Sequence, residues 1–262
     1  MNILETIIAK KRLEVEERKR SKPITQLEKG PFFKSEVTDF KKFLRRSDKT
    51  GIIAEFKRRS PSKGIINDTA TVEAVTAAYT KFGASGLSIL TDEEFFGGSL
   101  DDLLAATVNE VPILRKDFMI DEYQLVESKA YGAEVILLIA ACLQKETVKQ
   151  LAMAAKNLGL HVLLEIHHDG ELDHICDAVD VVGVNNRDLK TFTVDIYHSI
   201  ALGKKIPADK IKIAESGIHD VETIKLLQQN GFQGFLMGER FMKEKDPGAA
   251  FATFVEALKT TA

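Results

Sequence analysis

The sequence has few cysteines, and they lack the spacing that binds a metal. Cys142 and Cys176 lie far apart, and neither belongs to a Cys-x-x-Cys pair. A small disulfide-stapled domain needs more cysteines than this, and a structural zinc site needs them in closely spaced pairs. We interpret both as reduced thiols in a protein that folds around an ordinary hydrophobic core.

A basic excess and long apolar runs are also missing. The 36 Lys and Arg residues do not outnumber the 39 Asp and Glu residues, which excludes the positive surface that nucleic-acid binding usually requires. The longest apolar run, residues 135–143, is far shorter than the roughly 20 residues that span a bilayer. The N-terminus carries Asn2 and Glu5 among its apolar residues and does not resemble a secretory signal. We expect a cytoplasmic protein that binds neither nucleic acid nor membrane.

What is present is a regular alternation of short apolar runs with longer amphipathic segments, beginning near residue 51. This alternation is typical of βα units around a parallel sheet. Eight apolar runs are visible, at residues 51–56, 86–91, 112–115, 134–139, 161–165, 179–184, 211–214 and 234–237. Eight units in a chain of 262 residues predict an α/β fold of one domain, a single (β/α)8 TIM barrel.

The segments between the runs have helical periodicity and end in glycines. In residues 147–156 the apolar positions recur at intervals of three and four. Helix-ending glycines precede the next run at Gly83, Gly132, Gly159 and Gly231. An open, doubly wound sheet is the rival architecture, but its dinucleotide-binding forms carry GxGxxG after the first strand, where this sequence reads KRRSPSKG.

Residues 1–48 precede the first strand and predict a helical extension to the barrel of residues 49–262. Helical signals lie at residues 4–20 and 39–44, separated by Pro23 and Pro31, because proline cannot continue a helix. So short a segment cannot bury a core of its own. We expect it to pack on the barrel, near its mouth.

Candidate catalytic residues stand at the C-terminal ends of the predicted strands, where barrel enzymes form their active sites. Alternation along the first strand aims Glu55 and Lys57 to the same side. Lys116 ends the third strand and Glu165 the fifth, so that a lysine and a glutamate can converge over one mouth. Structural ion pairs and solvated charges are the alternative interpretation.

The later strands end in polar groups and glycines. Asn185 and Arg187 follow the sixth strand, and Glu215 and Ser216 the seventh, where ordinary cap chemistry is the alternative to substrate binding. The last two strands are followed by Gly217 and Gly238, at the usual phosphate site of this fold, although plain tight turns would also explain them. Beside them, Glu239 is expected to contribute only its backbone amide, with its carboxylate pointing away.

Two further features allow either a structural or a functional interpretation. Phe96 lies in an otherwise polar loop after the second strand and either plugs the core or contacts substrate. His167 and His168 stand beside acidic residues, but neighbours in an extended segment point in opposite directions. We therefore expect no metal site.

Six fragments, AEFKRRSPSKG, LSILTDEEFFGG, LRKDFMID, LLEIH, GVNNRDL and AESGI, resemble the indole-3-glycerol phosphate synthase family in order and spacing. The resemblance implies a lyase of tryptophan biosynthesis. Its reaction closes the ring of 1-(2-carboxyphenylamino)-1-deoxyribulose 5-phosphate and releases carbon dioxide and water, giving indole-3-glycerol phosphate. It also implies a phosphorylated small-molecule substrate and no cofactor, and we expect a monomer.

The same resemblance assigns residues. Lys116 matches the general acid and Glu165 its partner in dehydration, while the supporting catalytic group comprises Glu55, Lys57, Asn185, Glu215 and Ser216. Which lysine donates at which step stays open. The phosphate positions match Ser60, Gly217 and Gly238, Arg187 is a further polar contact, and Phe96 and Phe118 resemble the walls around the anthranilate ring. Glu239 departs from the small polar residue expected there.

Two other functions remain compatible with the residues. One is a Schiff-base lyase or aldolase on the same barrel, with Lys57 or Lys116 as the nucleophile. The other is a phosphate-sugar binding protein without turnover, which the presence of both Lys116 and Glu165 disfavours.

Overall fold

The computed structural model describes residues 3–189 and 191–260. The predicted extension, residues 1–48, is therefore described from its third residue. Within the described ranges, no helix combines the length and the apolar character needed to cross a membrane.

Eight parallel strands, β1–β8 in chain order, form a closed barrel in the described part of the chain. Their bounds are Ile52–Phe56, Gly86–Leu90, Ile113–Lys116, Val135–Ile139, His161–Ile166, Val181–Asn185, Ile211–Glu215 and Gly234–Met237. Each strand pairs with its neighbour in sequence, and β8 pairs with β1, so the barrel formed by the described residues has no open edge. The predicted TIM barrel is confirmed, and the predicted strand ends lie within about two residues of the observed ones.

The described residues form twelve α-helices, α1–α12. Their bounds are Ile3–Ser21, Ile24–Leu27, Phe40–Leu44, Val72–Lys81, Glu93–Phe96, Leu100–Ala106, Glu122–Ala130, Lys145–Asn157, Ile196–Gly203, Val221–Gln229, Glu239–Met242 and Pro247–Thr260. The four predicted helix-ending glycines all have positive φ, for example 97° at Gly83, a conformation that glycine adopts at no steric cost.

Two connections differ from the simple alternation. After β5 the chain forms a 3-10 helix, Asp169–His174, instead of an α-helix. After β1 it forms a small antiparallel hairpin of two-residue strands, Arg59–Ser60 and Gly64–Ile65. Neither segment is long or apolar enough to cover the barrel as an amphipathic helix does.

Alternation along the strands separates two apolar layers. One cluster lies inside the barrel and includes Ile53, Leu114, Leu163 and Ile213; the larger one lies between the strands and the surrounding helices. Since successive side chains point to opposite faces, the residue two places after each inward one also points inward. This register decides which side chains reach the C-terminal mouth.

The N-terminal helices contact the barrel at both of its ends. Phe40 and Leu44 of α3 belong to the cluster inside the barrel, and Phe40 N donates to His161 Nε2 at the start of β5. Near the opposite end, Lys11 of α1 is buried against Asp92 and Asp117, which follow β2 and β3.

Candidate active site

A single cavity at the C-terminal end of the barrel is lined by every residue predicted for the site. They are Glu55, Lys57, Ser60, Phe96, Lys116, Phe118, Glu165, Asn185, Arg187, Glu215, Ser216, Gly217, Gly238 and Glu239. The residues predicted from the sequence therefore converge at one end of the barrel.

The strand register explains why the charged groups meet. Four of them follow an inward-facing apolar residue by two positions: Glu55, Lys116, Glu165 and Glu215 come after Ile53, Leu114, Leu163 and Ile213. The charged residues therefore form the uppermost inward layer of the barrel, above its apolar interior.

Lys116 is the centre of the charged layer. Its Nζ lies 3.3 Å from Glu165 Oε2 and 3.8 Å from Glu215 Oε2. Burial alone would lower the pKa of Lys116, but the charges of Glu165, Glu215 and Glu55 outweigh burial and raise it. The Lys116 amine is therefore held in its protonated form.

The two glutamates beside Lys116 have opposite pKa shifts. Burial disfavours the charged form of Glu165, yet Lys116 and His167 outweigh burial and lower the pKa of this carboxyl. Burial and the charge of Glu165 together raise the pKa of Glu215 to about 8. These opposite shifts favour the carboxylate on Glu165 and the protonated carboxyl on Glu215. Environments that separate two pKa values in this way are typical of acid–base sites.

A second ion pair joins Glu55 of this layer to Lys57, two residues further along the chain. Lys57 Nζ lies 2.7 Å from Glu55 Oε1, which confirms that β1 aims both side chains to one side. Gly238 is needed for this arrangement, because a Cβ there would lie 2.7 Å from Glu55 Oε1. The glycine after β8 thus makes room for a carboxylate of β1.

Asn185 holds the Glu165 carboxylate in place through a hydrogen bond. Its Nδ2 donates to Glu165 Oε1 at 3.0 Å, while its Oδ1 accepts from the backbone amide of Arg187. Earlier on the same strand, Gly183 leaves room for Glu215, since a Cβ there would collide with the Glu215 carboxyl group. A glycine inside a strand often marks such a close approach.

His167 does not line the cavity but contacts Glu165, although the sequence interpretation considered it only as a metal ligand. Its Nε2 lies 3.1 Å from Glu165 Oε1, and its Nδ1 lies 3.6 Å from Glu171 Oε2. Burial alone would lower the pKa of His167, but these two carboxylates outweigh it and raise the pKa to about 10. A positive imidazolium therefore neighbours Glu165 at neutral pH. His168 is exposed, and the described ranges contain no group of three or more residues arranged to hold a metal.

An apolar wall covers one side of the cavity. The rings of Phe96 and Phe118 lie with their centroids 6.1 Å apart, and both line the cavity. Helix α1 adds Ile3, Leu4 and Ile7 to the same lining. An aromatic group can be enclosed here while the charged layer stays within reach.

The opposite side is formed by the turns after β7 and β8. Ser216 and Gly217 both have left-handed backbones, with φ of 65° and 68°. For serine this conformation is uncommon, and such residues concentrate at functional sites. The short helix α11 begins directly after Gly238.

Glu239 does not point away from the pocket as predicted. Its Oε2 lies 3.5 Å from Arg187 Nη2, and its Oε1 lies 3.7 Å from Lys63 Nζ. The orientation follows from charge, because two cations face the start of α11 from the loops after β6 and β1. The Glu239 carboxylate therefore pairs with Arg187 and Lys63 at the position where a small polar residue was expected.

Solved structures of other proteins share the barrel. A mutant form of the tryptophan synthase α-subunit from Pyrococcus furiosus aligns with a TM-score of 0.62 at 16% identity, covering 81% of this chain and 99% of that one. The 3-hexulose-6-phosphate synthase of Salmonella typhimurium aligns with a TM-score of 0.60 at 14% identity, covering 80% and 99%. At these identities the likeness concerns the fold alone.

Sequence comparison is more specific. A protein of Bacteroides thetaiotaomicron named indole-3-glycerol phosphate synthase is 49% identical over 259 residues, covering 98% of this chain and 99% of the relative. One of the same name from Chromobacterium violaceum is 41% identical, covering 96% and 97%. A family model described as indole-3-glycerol phosphate synthase matches residues 4–254. With the barrel and the charged mouth described above, these matches lead to one conclusion: the chain belongs to the indole-3-glycerol phosphate synthase family.

Proposed function

We propose that this cavity converts 1-(2-carboxyphenylamino)-1-deoxyribulose 5-phosphate into indole-3-glycerol phosphate, with Lys116 as general acid and Glu165 as general base. The single observation that carries the proposal is the convergence of Lys116 with two buried glutamates, its Nζ 3.3 Å from Glu165 Oε2 and 3.8 Å from Glu215 Oε2. The reaction is a decarboxylating lyase step of tryptophan biosynthesis. It needs one donor and one acceptor of protons at neighbouring positions.

Lys116 serves the condensation. When the ring carbon that bears the carboxyl group attacks the ribulose carbonyl carbon, the carbonyl oxygen becomes a hydroxyl and must take up a proton. An ammonium beside it supplies that proton and stabilises the developing charge in the same motion. The carboxyl group then leaves as carbon dioxide, and the electrons of the bond between it and the ring restore the aromatic ring.

Glu165 serves the dehydration. The new hydroxyl leaves as water after receiving a proton, while a carboxylate accepts the proton released as the indole double bond forms. Asn185 and His167 hold Glu165 in the ionised form that this step requires. Glu215, whose pKa is raised by burial and by the charge of Glu165, donates a hydrogen bond to a substrate oxygen in its protonated form. Lys57, paired with Glu55, divides the proton donation with Lys116.

The rest of the cavity orients the substrate. Phe96 and Phe118 enclose the anthranilate ring, and Arg187 contacts the polar part of the substrate. The phosphate lies against Ser60 and the glycines after β7 and β8, where the backbone approaches an anion closely. Glu239 contributes its backbone amide, while its carboxylate pairs with Arg187.

The phosphate site makes a direct prediction. In crystals soaked with phosphate or sulfate, an ion is expected in the space between Gly217 and Gly238, because these turns leave backbone groups without bulky side chains. The crystal structure of the soaked protein measures this. If side chains alone fill that space at high phosphate concentration, the assignment of the anchor is wrong.

A Schiff-base mechanism requires the opposite protonation state of Lys116. A nucleophilic lysine needs a neutral amine and usually a depressed pKa, whereas the carboxylates around Lys116 raise its pKa. Treatment with borohydride in the presence of substrate is therefore expected to leave the protein mass unchanged. A covalent adduct on Lys116 or Lys57, detected by mass spectrometry, would favour the aldolase alternative.

The proposal extends to the setting of the enzyme. We infer a monomer in the cytoplasm that requires no cofactor and binds neither nucleic acid nor membrane, consistent with the slight negative net charge of −3. Light scattering on the purified chain tests the first part, since a dimer would give twice the monomer mass.

A further inference from the structure

A buried lysine of the N-terminal helix connects two loops of the active site. Lys11, in α1, is 1% exposed, and its Nζ lies 2.9 Å from Asp92 Oδ2 and 2.9 Å from Asp117 Oδ1. A third carboxylate, from Glu14, lies at 2.8 Å. Lysines are almost never this buried unless they are paired, because removing a charge from water is costly. The position is therefore a specific one, built around this ammonium.

The first partner fixes the loop that carries Phe96. Asp92 caps the N-terminus of α5, since its Oδ1 accepts from the backbone amide of Phe95 at 2.8 Å. Its other carboxylate oxygen faces Lys11. Phe96 is the last residue of this one-turn helix. A displacement of Asp92 would carry the ring with it.

The second partner lies between two residues of the site. Asp117 directly follows Lys116 and precedes Phe118, whose backbone amide donates to Asp117 Oδ1 at 2.8 Å. Its Oδ2 accepts from Thr91 Oγ1 at 2.6 Å and from Arg115 Nη2 at 3.0 Å. The same Oδ1 that holds Phe118 is the one that contacts Lys11.

The helix also brings apolar residues to the cavity from the face that carries Lys11. Ile3 and Ile7 precede Lys11 at intervals of four residues, which places all three on one side of α1. Both isoleucines line the cavity, whereas Lys11 does not. One buried charge therefore fixes the helix and two loops relative to each other.

We propose that Lys11 is a positioning residue of the active site, whose ammonium fixes the Asp92 and Asp117 loops and thereby the spacing of Phe96, Phe118 and Lys116. The inference rests on the proposed function for its kinetic consequence, but the positioning itself can be measured without turnover. Lys11 does not contact the substrate and transfers no proton.

The test compares three variants of the full chain. Lys11→Met removes the charge. Asp92→Asn removes one ionic link but keeps a side-chain oxygen that can cap α5. Lys19→Met is the control, because Lys19 also joins α1 to the barrel, through Asp121 at 2.7 Å, but is partly exposed and outside the cavity. Hydrogen exchange and steady-state kinetics are measured on all three, together with their unfolding midpoints.

The proposal predicts that Lys11→Met accelerates amide exchange in residues 92–98 and 117–120 together. Because small misplacements at an active site can cost about 10²-fold, kcat/KM per folded molecule should fall by about 10-fold to 10²-fold. Asp92→Asn should show the same loop effect more weakly, also when Lys11→Met fails to fold, and Lys19→Met should show neither effect.

Unchanged exchange in both loops of Asp92→Asn and of folded Lys11→Met would overturn the proposal. So would a loss of stability with wild-type kcat and KM, which is the signature of a purely structural lysine. If the unaltered chain gives no turnover, the proposed function fails, while the exchange measurement still decides the role of Lys11.

Discussion

Lys116→Met is expected to lower kcat by about 10²-fold to 10⁴-fold, the usual contribution of a positioned general acid. The reason is the removal of the only ammonium that lies within 4 Å of both Glu165 and Glu215 among the described residues. KM should change little, because the aromatic wall and the phosphate turns do not involve this side chain. Steady-state kinetics on the purified variant measure both constants.

A buried lysine outside the cavity provides the control. Lys129, on α7, is 6% exposed, and its Nζ donates to Ser35 O at 2.7 Å. Lys129→Met therefore also removes a buried charge. We expect its kcat per folded molecule to stay near the wild-type value. If Lys116→Met retains near-normal turnover, the acid must be sought at Lys57.

Glu165→Gln is expected to lower kcat by a similar factor, about 10²-fold to 10⁴-fold. The amide keeps the shape of the carboxylate and can still accept from Asn185, but it cannot take up a proton during dehydration. Substrate binding should be largely preserved, because the amide has the same shape as the carboxylate. Single-turnover kinetics separate the chemical step from binding and product release, and so measure the loss directly.

The matched variant for this prediction is Glu134→Gln. Glu134 precedes β4 at the opposite end of the barrel, where its carboxylate accepts from the backbone amide of Thr38 at 2.7 Å. This variant should affect stability and leave kcat unchanged. Equal losses in both glutamine variants would mean that Glu165 acts through the fold. The pH profile is an independent check, since an acid and a base together give a bell-shaped kcat/KM.

The convergence of the catalytic groups could be predicted because it follows from local rules. Parallel strands bring their C-terminal ends to one mouth, and alternation by two decides which side chains face it. Lys116, Glu165 and Glu215 satisfy both conditions, so their meeting required no knowledge of long-range packing. The same alternation places His167 on the side of Glu165, but only when it is extended past the last residue of the predicted strand.

Other features depend on contacts that no local pattern encodes. The burial of Lys11 requires that α1 cross the loops after β2 and β3, about eighty to a hundred residues later in the chain. The orientation of Glu239 depends on Arg187 and Lys63, which come from two different loops. The sequence around Lys11 favours a helix exposed to solvent, and the sequence around Glu239 favours a contact through its backbone amide. Only the folded structure shows the charged groups that face the two side chains.

The most direct test of the account is a fluorescence assay for indole-3-glycerol phosphate with the purified chain and 1-(2-carboxyphenylamino)-1-deoxyribulose 5-phosphate. The account predicts a steady rise of indole fluorescence with the unaltered chain, reduced to a small residual rate by combining Lys116→Met with Glu165→Gln. Binding of the substrate by the folded, unaltered chain without any formation of product would contradict it.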